Sequence, residues 1–321
     1  MGVIESLSAG YRYLGWRLYL LLIPLALDLL LWLAPQVSVA PLLQAIGRFY
    51  ASMTTVDGIP PDMVAWSRQL ADGLMNAGDQ SNLLGLLINS SLLQVPSGLV
   101  ALGPGSSIAI WTIADPMVAL GLALVFSLLG LLIGVFYIGL LAQQLPIGAA
   151  PKVPTLLPFV RLSLRQWFKL ILFVVLVVVG LIAIYIPVSL SATLVLLFSP
   201  ALGVFVMLLL SGLSFVLFFY LYFVPAGLIM DNVGLRTAIA QSLRLVRTNF
   251  WSTLGFFLLT SLISTGSSLL FDRLALYQPL GTLAAMAANA YIGTGLALAF
   301  LIFYRTQLLR ATGDLTLGGQ L

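Results

Sequence analysis

Long apolar runs broken by short clusters of charge make up most of the chain. A helix crosses a bilayer with about 20 mostly apolar residues, within a range near 17–25. Residues 18–34 and 117–141 fall in that range. Residues 170–230 contain no charged side chain over 61 positions, which is too long for one crossing. Pro187 and Pro200 mark a turn inside this run and divide it into 170–187 and 204–226. Residues 250–270 and 282–304 complete six. The expected fold class is therefore all-α, a polytopic membrane helix bundle with about six transmembrane helices.

A further apolar run, 83–102, contains Asn89, Ser90, Ser91, Gln94 and Pro96. These polar positions suit a helix that lies in the outer interface, re-enters, or packs on the bundle better than one that crosses. The run belongs to an outer region, residues 35–115, read as an extracytoplasmic helical insertion between spans one and two. Within it Leu42, Ile46, Phe49 and Met53 form one helical stripe after Pro41, and Met63, Trp66, Leu70 and Leu74 form another after Pro60 and Pro61. Asp115 and Pro116 read as the start of the second span.

Basic segments with helical periodicity precede alternate spans. The first has Ile4, Leu7, Tyr11, Leu14 and Leu18 on one stripe, with Arg12 and Arg17 off it and Trp16 at its end. The second has Leu157, Val160, Leu164 and Trp167 beside Arg161, Arg165 and Lys169, which recur every four residues. The third has Leu235, Ile239, Leu243, Val246 and Phe250 beside Arg236, Arg244 and Arg247, with Trp251 as anchor. Such segments suit the headgroup plane, apolar face in acyl chains and cations against anionic lipid. Arg12, Arg17, Arg161, Arg165, Lys169, Arg236, Arg244 and Arg247 are accordingly the candidate anionic-lipid contacts. The shared design suggests repeat units 4–141, 155–228 and 235–308 inside a single membrane domain, 1–321.

Composition agrees with a membrane setting. Hydrophobic residues are 61% and charged residues 7% of the 321, against roughly 45–50% and 25% in ordinary soluble chains. With six spans and the N-terminus inside, 11 of the 14 cations fall on cytoplasmic segments: Arg12, Arg17, Lys152, Arg161, Arg165, Lys169, Arg236, Arg244, Arg247, Arg305 and Arg310. The positive-inside rule thus places a multi-pass chain in the cell (cytoplasmic) membrane with both termini cytoplasmic. The net charge of +4 then reflects topology, and nucleic acid is not an expected partner.

The chain has no Cys and no His. Thiolate chemistry, disulfides, Cys- or His-ligated metal and a Ser-His-Asp triad are thereby excluded. No catalytic residue, cofactor or metal site is expected. Asp28 is the only ionisable residue well inside a span, about 15 Å from the inner end of its helix. An intramembrane carboxylate is a functional hypothesis by default; a hydrogen bond gluing helices is the structural alternative. Pro24, one turn earlier, is expected to bend this helix. Asn289, Ser261, Ser264 and Thr265 are the polar residues that could join Asp28 in an intramembrane site. Ala285, Asn289, Gly293 and Ala297 recur every four residues, and Gly130 and Gly134 form a GxxxG, both patterns of close helix contact.

Pro225, Gly234, Leu235, Ala238, Ser242 and the run Arg247, Thr248, Asn249, Phe250 set a loose pattern over about 30 residues. It resembles the six-helix membrane domain attached to some bacterial glycerophosphodiester phosphodiesterases, and that domain's stand-alone relatives. The phosphodiesterase catalytic domain needs histidines, so the resemblance implies only a six-helix architecture, with no activity; the expected setting is a bacterial inner membrane. The expected function is a non-enzymatic accessory or scaffold subunit, or a lipid-handling protein. Its partners would be the bilayer, anionic headgroups, and other membrane subunits or further copies of itself. The alternative is a small-molecule or lipid transporter with Asp28 in its pathway.

Overall fold

The computed structural model describes residues 2–15, 17–53, 61–88, 109–145, 155–277 and 279–312. Helices α1 (Val3–Leu14), α2 (Leu22–Leu33), α3 (Ala40–Met53) and α4 (Pro61–Asp79) lead to α5 (Pro116–Gln144). Then follow α6 (Leu156–Phe198), α7 (Pro200–Tyr220), α8 (Val224–Met230), α9 (Leu235–Thr248), α10 (Phe250–Ala275) and α11 (Leu280–Thr312). Among the described residues the fold is all-α apart from two three-residue strands, β1 (Gln36–Ser38) and β2 (Ile110–Thr112), which pair in parallel. Among the described residues, five helical stretches are long and apolar enough to cross a membrane, and a sixth is obtained if Val3–Leu14 and Leu18–Leu33 count as one broken span. The protein is a multi-pass membrane protein.

Several boundaries differ from those expected. The first span begins as a 3-10 turn, Leu18–Leu21, and becomes α-helical only at Leu22. Pro24 therefore sits in the first turn of α2, where its missing N–H is not needed, and it opens the helix instead of bending one. Pro187 does not end a span either. Helix α6 runs through it to Phe198, and the turn falls at Ser199, whose extended backbone precedes Pro200 as the first residue of α7. A proline is tolerated inside a lipid-embedded helix. The second basic segment is no separate helix, because no Gly or Pro interrupts residues 159–179; it is the start of the 43-residue α6. Asp115 does cap α5, its carboxylate accepting from the Met117 and Val118 amides at 2.7 and 3.3 Å.

By internal contacts the chain forms two compact units. One comprises 1–17, 135–263 and 295–321. Here α1 packs on α11 at Gly10, where a Cβ would lie 2.7 Å from both the Ala299 amide nitrogen and the Gly295 carbonyl oxygen. The ring of Tyr11 fills the space a Cβ of Gly295 would need. The close-contact residues of α11 are thus Gly295 and Ala299, two positions beyond Gly293 and Ala297 of the expected stripe. An aromatic core joins α10 and α11, with Phe256 stacked on Phe303 at 4.4 Å between centroids. Phe223 stacks on Phe300 and Phe303 in the same core.

The other unit comprises 18–134 and 264–294. Residues Leu83–Leu87 of the uncertain apolar run form a 3-10 turn. Leu87 and Ile88 pack with Leu31 of α2 and with Phe126 of α5. Gly130 makes room for this turn, since a Cβ there would stand 2.5 Å from the Leu86 carbonyl oxygen and 2.7 Å from that of Leu87. Gly130 of the GxxxG pattern therefore faces the backbone of this turn. This start of the run is packed on the bundle; residues 89–102 lie outside the described residues. Helices α3 and α4 form an antiparallel hairpin joined through small residues: Gly47 faces Ala71 and Met75, and Gly78 faces Ala40 and Leu43.

Candidate functional site

The densest polar cluster among the described residues surrounds the short helix α8, in the first unit. Every residue of α8 is buried, so the groups at its two ends cannot rely on water. At its start the chain breaks between Tyr220 and Val224. Ser242 of α9 spans that break, donating to the Tyr220 carbonyl at 2.7 Å and accepting from the Phe223 amide at 3.2 Å. Pro225 stands in the first turn, where it costs no hydrogen bond. Ala238 of α9 is small enough to lie against Gly227, 3.6 Å from the position of an added Cβ.

The far end of α8 is held from two sides. Gln166 of α6, fully buried, donates to the Ile229 carbonyl at 2.8 Å. Lys169, one turn on, donates to the Asn232 carbonyl, the Asn232 side-chain oxygen and the Val233 carbonyl at 2.9, 2.9 and 3.0 Å. Asn232 takes φ of 50°. That is the left-handed conformation that ends many helices, and Asn is one of the few residues to accept it. From α11, Tyr304 donates to one oxygen of Asp231 at 2.6 Å, and Arg305 binds the other at 2.5 Å. The pair is mostly buried, with side chains 17% and 14% exposed for Arg305 and Asp231. The arrangement closes on itself: a carboxylate, a guanidinium, a phenol and an ammonium fasten one loop to α6 and α11.

Sequence reasoning did not single out Asp231, Tyr304 or Gln166. A signal was present for the first. Asp231 is the only acidic residue between Asp115 and Asp272, in a stretch rich in cations, and an isolated acid beside apolar helices needs a partner. Nothing in the linear pattern names Arg305 as that partner, 74 positions away. Three further side chains of this unit are fully buried, Ser163, Thr253 and Gln307, and their Oγ, Oγ1 and Oε1 atoms find no hydrogen-bond partner among the described residues.

The residues expected to form an intramembrane polar site are placed unevenly. Asp28 is fully buried on α2 and is engaged in an interaction within the fold. Asn289 on α11 and Ser261 on α10 are half-buried, while Ser264 and Thr265 are exposed. The hydroxyls of the fifth span are partly consumed by their own helix, as Ser267 donates to the Ser264 carbonyl and Ser268 to that of Thr265.

The basic residues divide into two groups. Arg12, Arg161, Arg165, Arg236, Arg244 and Arg247 are exposed. Lys169 is turned inward, as described. Arg17 donates to the Gln144 carbonyl at 3.1 Å and lies 4.0 Å over the Tyr13 ring. No family model, no curated protein and no solved structure matches this chain.

Proposed function

We propose that the protein is a non-enzymatic bundle of the cell membrane, with both termini cytoplasmic, that serves as an accessory or scaffold subunit and handles anionic lipid along its basic face. The division of the cations is the observation that supports this reading. Lys169, Arg17 and Arg305 are spent on holding the fold together, whereas Arg161 and Arg165 on α6 and Arg236, Arg244 and Arg247 on α9 point outward. Leu157, Leu164, Leu243 and Trp251 are exposed beside them in sequence, at 80, 43, 43 and 78%. Cations bordered by exposed apolar and indole side chains match the level where acyl chains meet headgroups, each worth about 1 kcal/mol on an anionic surface. The residues of α8 to α10 that resemble the phosphodiesterase-linked membrane domain support the same architectural reading.

The test is purification in native lipid followed by mass spectrometry of bound lipids and partners. Wild type should retain anionic over neutral lipid, and a variant with the five outward arginines changed to Gln should lose that preference. An unchanged preference in the variant overturns the proposal. The same spectra identify a partner subunit or a second copy. Reporter fusions after Gly234 and after Thr312 should read cytoplasmic, and one after Asp79 should read outside.

The transporter reading has one observation in its favour, the full burial of Asp28 in an apolar helix. An ionised carboxylate there costs about 2.5–3.5 kcal/mol on insertion scales, so something must offset it.

A further inference from the structure

The hairpin α3–α4 carries an exposed face that its own packing does not use. We propose that this hairpin is a membrane-surface plate that lies flat on the bilayer, with Ile46, Phe49 and Trp66 inserted at the acyl–headgroup boundary.

The faces follow from helix geometry. Each residue turns a helix by about 100°. Taking buried Gly47 as the direction from α3 to α4, Ile46 and Phe49 lie to one side and Arg48 to the other. On α4, taking buried Ala71 and Gly78 as the direction back to α3, Trp66 lies to that first side, and Arg68 and Asp72 lie to the other. The helices run antiparallel, Gly47 facing Ala71 and Gly78 facing Ala40. An equal sense of rotation on two antiparallel helices leads to one common face of the pair. Ile46, Phe49 and Trp66 therefore share a face, and Arg48, Arg68 and Asp72 share the opposite one. Exposure agrees: Ile46 is 46%, Phe49 58% and Trp66 58% exposed. Tyr50 ties the aromatic groups together, edge-on to Phe49 at 5.8 Å and to Trp66 at 6.3 Å.

Lipid is the occupant because of where the plate is anchored. Strand β1 starts three positions after α2 ends. The base of the hairpin is fastened to it: Ser81 accepts from the Val39 amide at 3.0 Å and bonds the Ser38 hydroxyl at 2.9 Å, and Asn82 accepts from the Val37 amide at 3.3 Å. The aromatic end stands about 14 Å further along α3, too short a reach to leave the vicinity of the bilayer. Exposed apolar side chains also flank the connection between the span and the hairpin. Leu30 and Leu33 of α2 are 54 and 56% exposed, and Ile110 and Trp111 of β2, paired with β1, are 58 and 63% exposed. A plate with one charged face and one aromatic-aliphatic face, held at the end of a span, has the form of an interfacial helix pair. This inference rests on membrane insertion alone, independent of the lipid class or subunit role proposed above.

The absence of cysteine makes the test direct. Single variants Ile46→Cys, Phe49→Cys, Arg48→Cys and Asp72→Cys of the full chain are spin-labelled in phosphatidylcholine–phosphatidylglycerol vesicles. Leu208→Cys, exposed on α7, supplies an in-lipid reference. The expected result is a ratio of oxygen to aqueous nickel-chelate collisions severalfold higher at 46 and 49 than at 48 and 72, and close to that at 208. Water-favoured collisions at 46 and 49 overturn the proposal by placing the face in solvent. Exclusion of both reagents at 46 and 49 overturns it as well, because a second copy or another protein then covers the face.

Discussion

The ammonium of Lys169 donates to both oxygens of Asn232, main-chain and side-chain, at 2.9 Å each. Only the left-handed backbone of Asn232 brings the chain round at this point, so cation and turn depend on each other. Lys169→Met leaves three acceptors beside α6 unmet and should lower stability by about 1–2 kcal/mol. Asn232→Val meets the steric penalty of the left-handed region, about 1–2 kcal/mol, and loses an acceptor too. Asn232→Gly keeps the turn and should be milder. Thermal unfolding in nanodiscs ranks the three; a Lys169→Met protein that melts with wild type removes any role for this contact.

Asp231 and Arg305 form a mostly buried ion pair, and removal of one partner strands the other charge. Asp231→Asn and Arg305→Met should each destabilise by about 3 kcal/mol. The double variant should lose clearly less than the two together, since no lone charge remains. Additive losses in a double-mutant cycle would show that the two groups are not coupled.

The contact of α1 with α11 depends on Gly10. Gly10→Ala pushes a methyl group into the backbone of Gly295 and Ala299, an overpacking that should cost about 1–3 kcal/mol. Gly212→Ala is the control, because nothing lies within 4 Å of the added Cβ. Its melting temperature should stay at or slightly above the wild-type value. Equal melting of the two variants would mean that α1 yields without cost.

Asp28 separates the two functional readings. In the scaffold reading its carboxylate serves packing, and Asp28→Asn retains hydrogen-bonding capacity, so folding and phenotype should change little. Asp28→Leu should be at most mildly destabilising. In the transporter reading the carboxylate must change protonation or bind a cation, and Asp28→Asn abolishes the cellular phenotype while the protein stays folded. Melting and phenotype of both variants decide between them, and a folded, inactive Asn variant rejects the scaffold reading.

Much of the architecture is legible because lipid imposes a local rule. An apolar run of sufficient length must be helical, so α5, α10 and α11 follow from composition alone. Asp115 as a cap and Pro200 as a helix start are equally local, since each acts on amides within one turn. Pro187 and Pro24 mislead for the complementary reason. Whether a proline ends, opens or merely interrupts a helix depends on which carbonyls have other partners and where the preceding segment runs.

The sequence by itself determined an all-α membrane protein, the stretches able to span, the exclusion of cysteine and histidine chemistry, and the positions of the cations. Only the tertiary structure decided which cations face outward and which are consumed. Lys169 has the same four-residue spacing as Arg161 and Arg165, yet it alone meets the carbonyls of the 232–233 turn. Likewise Asp231 acquires its meaning from Arg305, and Gly10 from Gly295. Periodicity specifies which residues share a face of one helix. What lies opposite that face is set by contacts between residues distant in the chain, and those follow from packing of the whole.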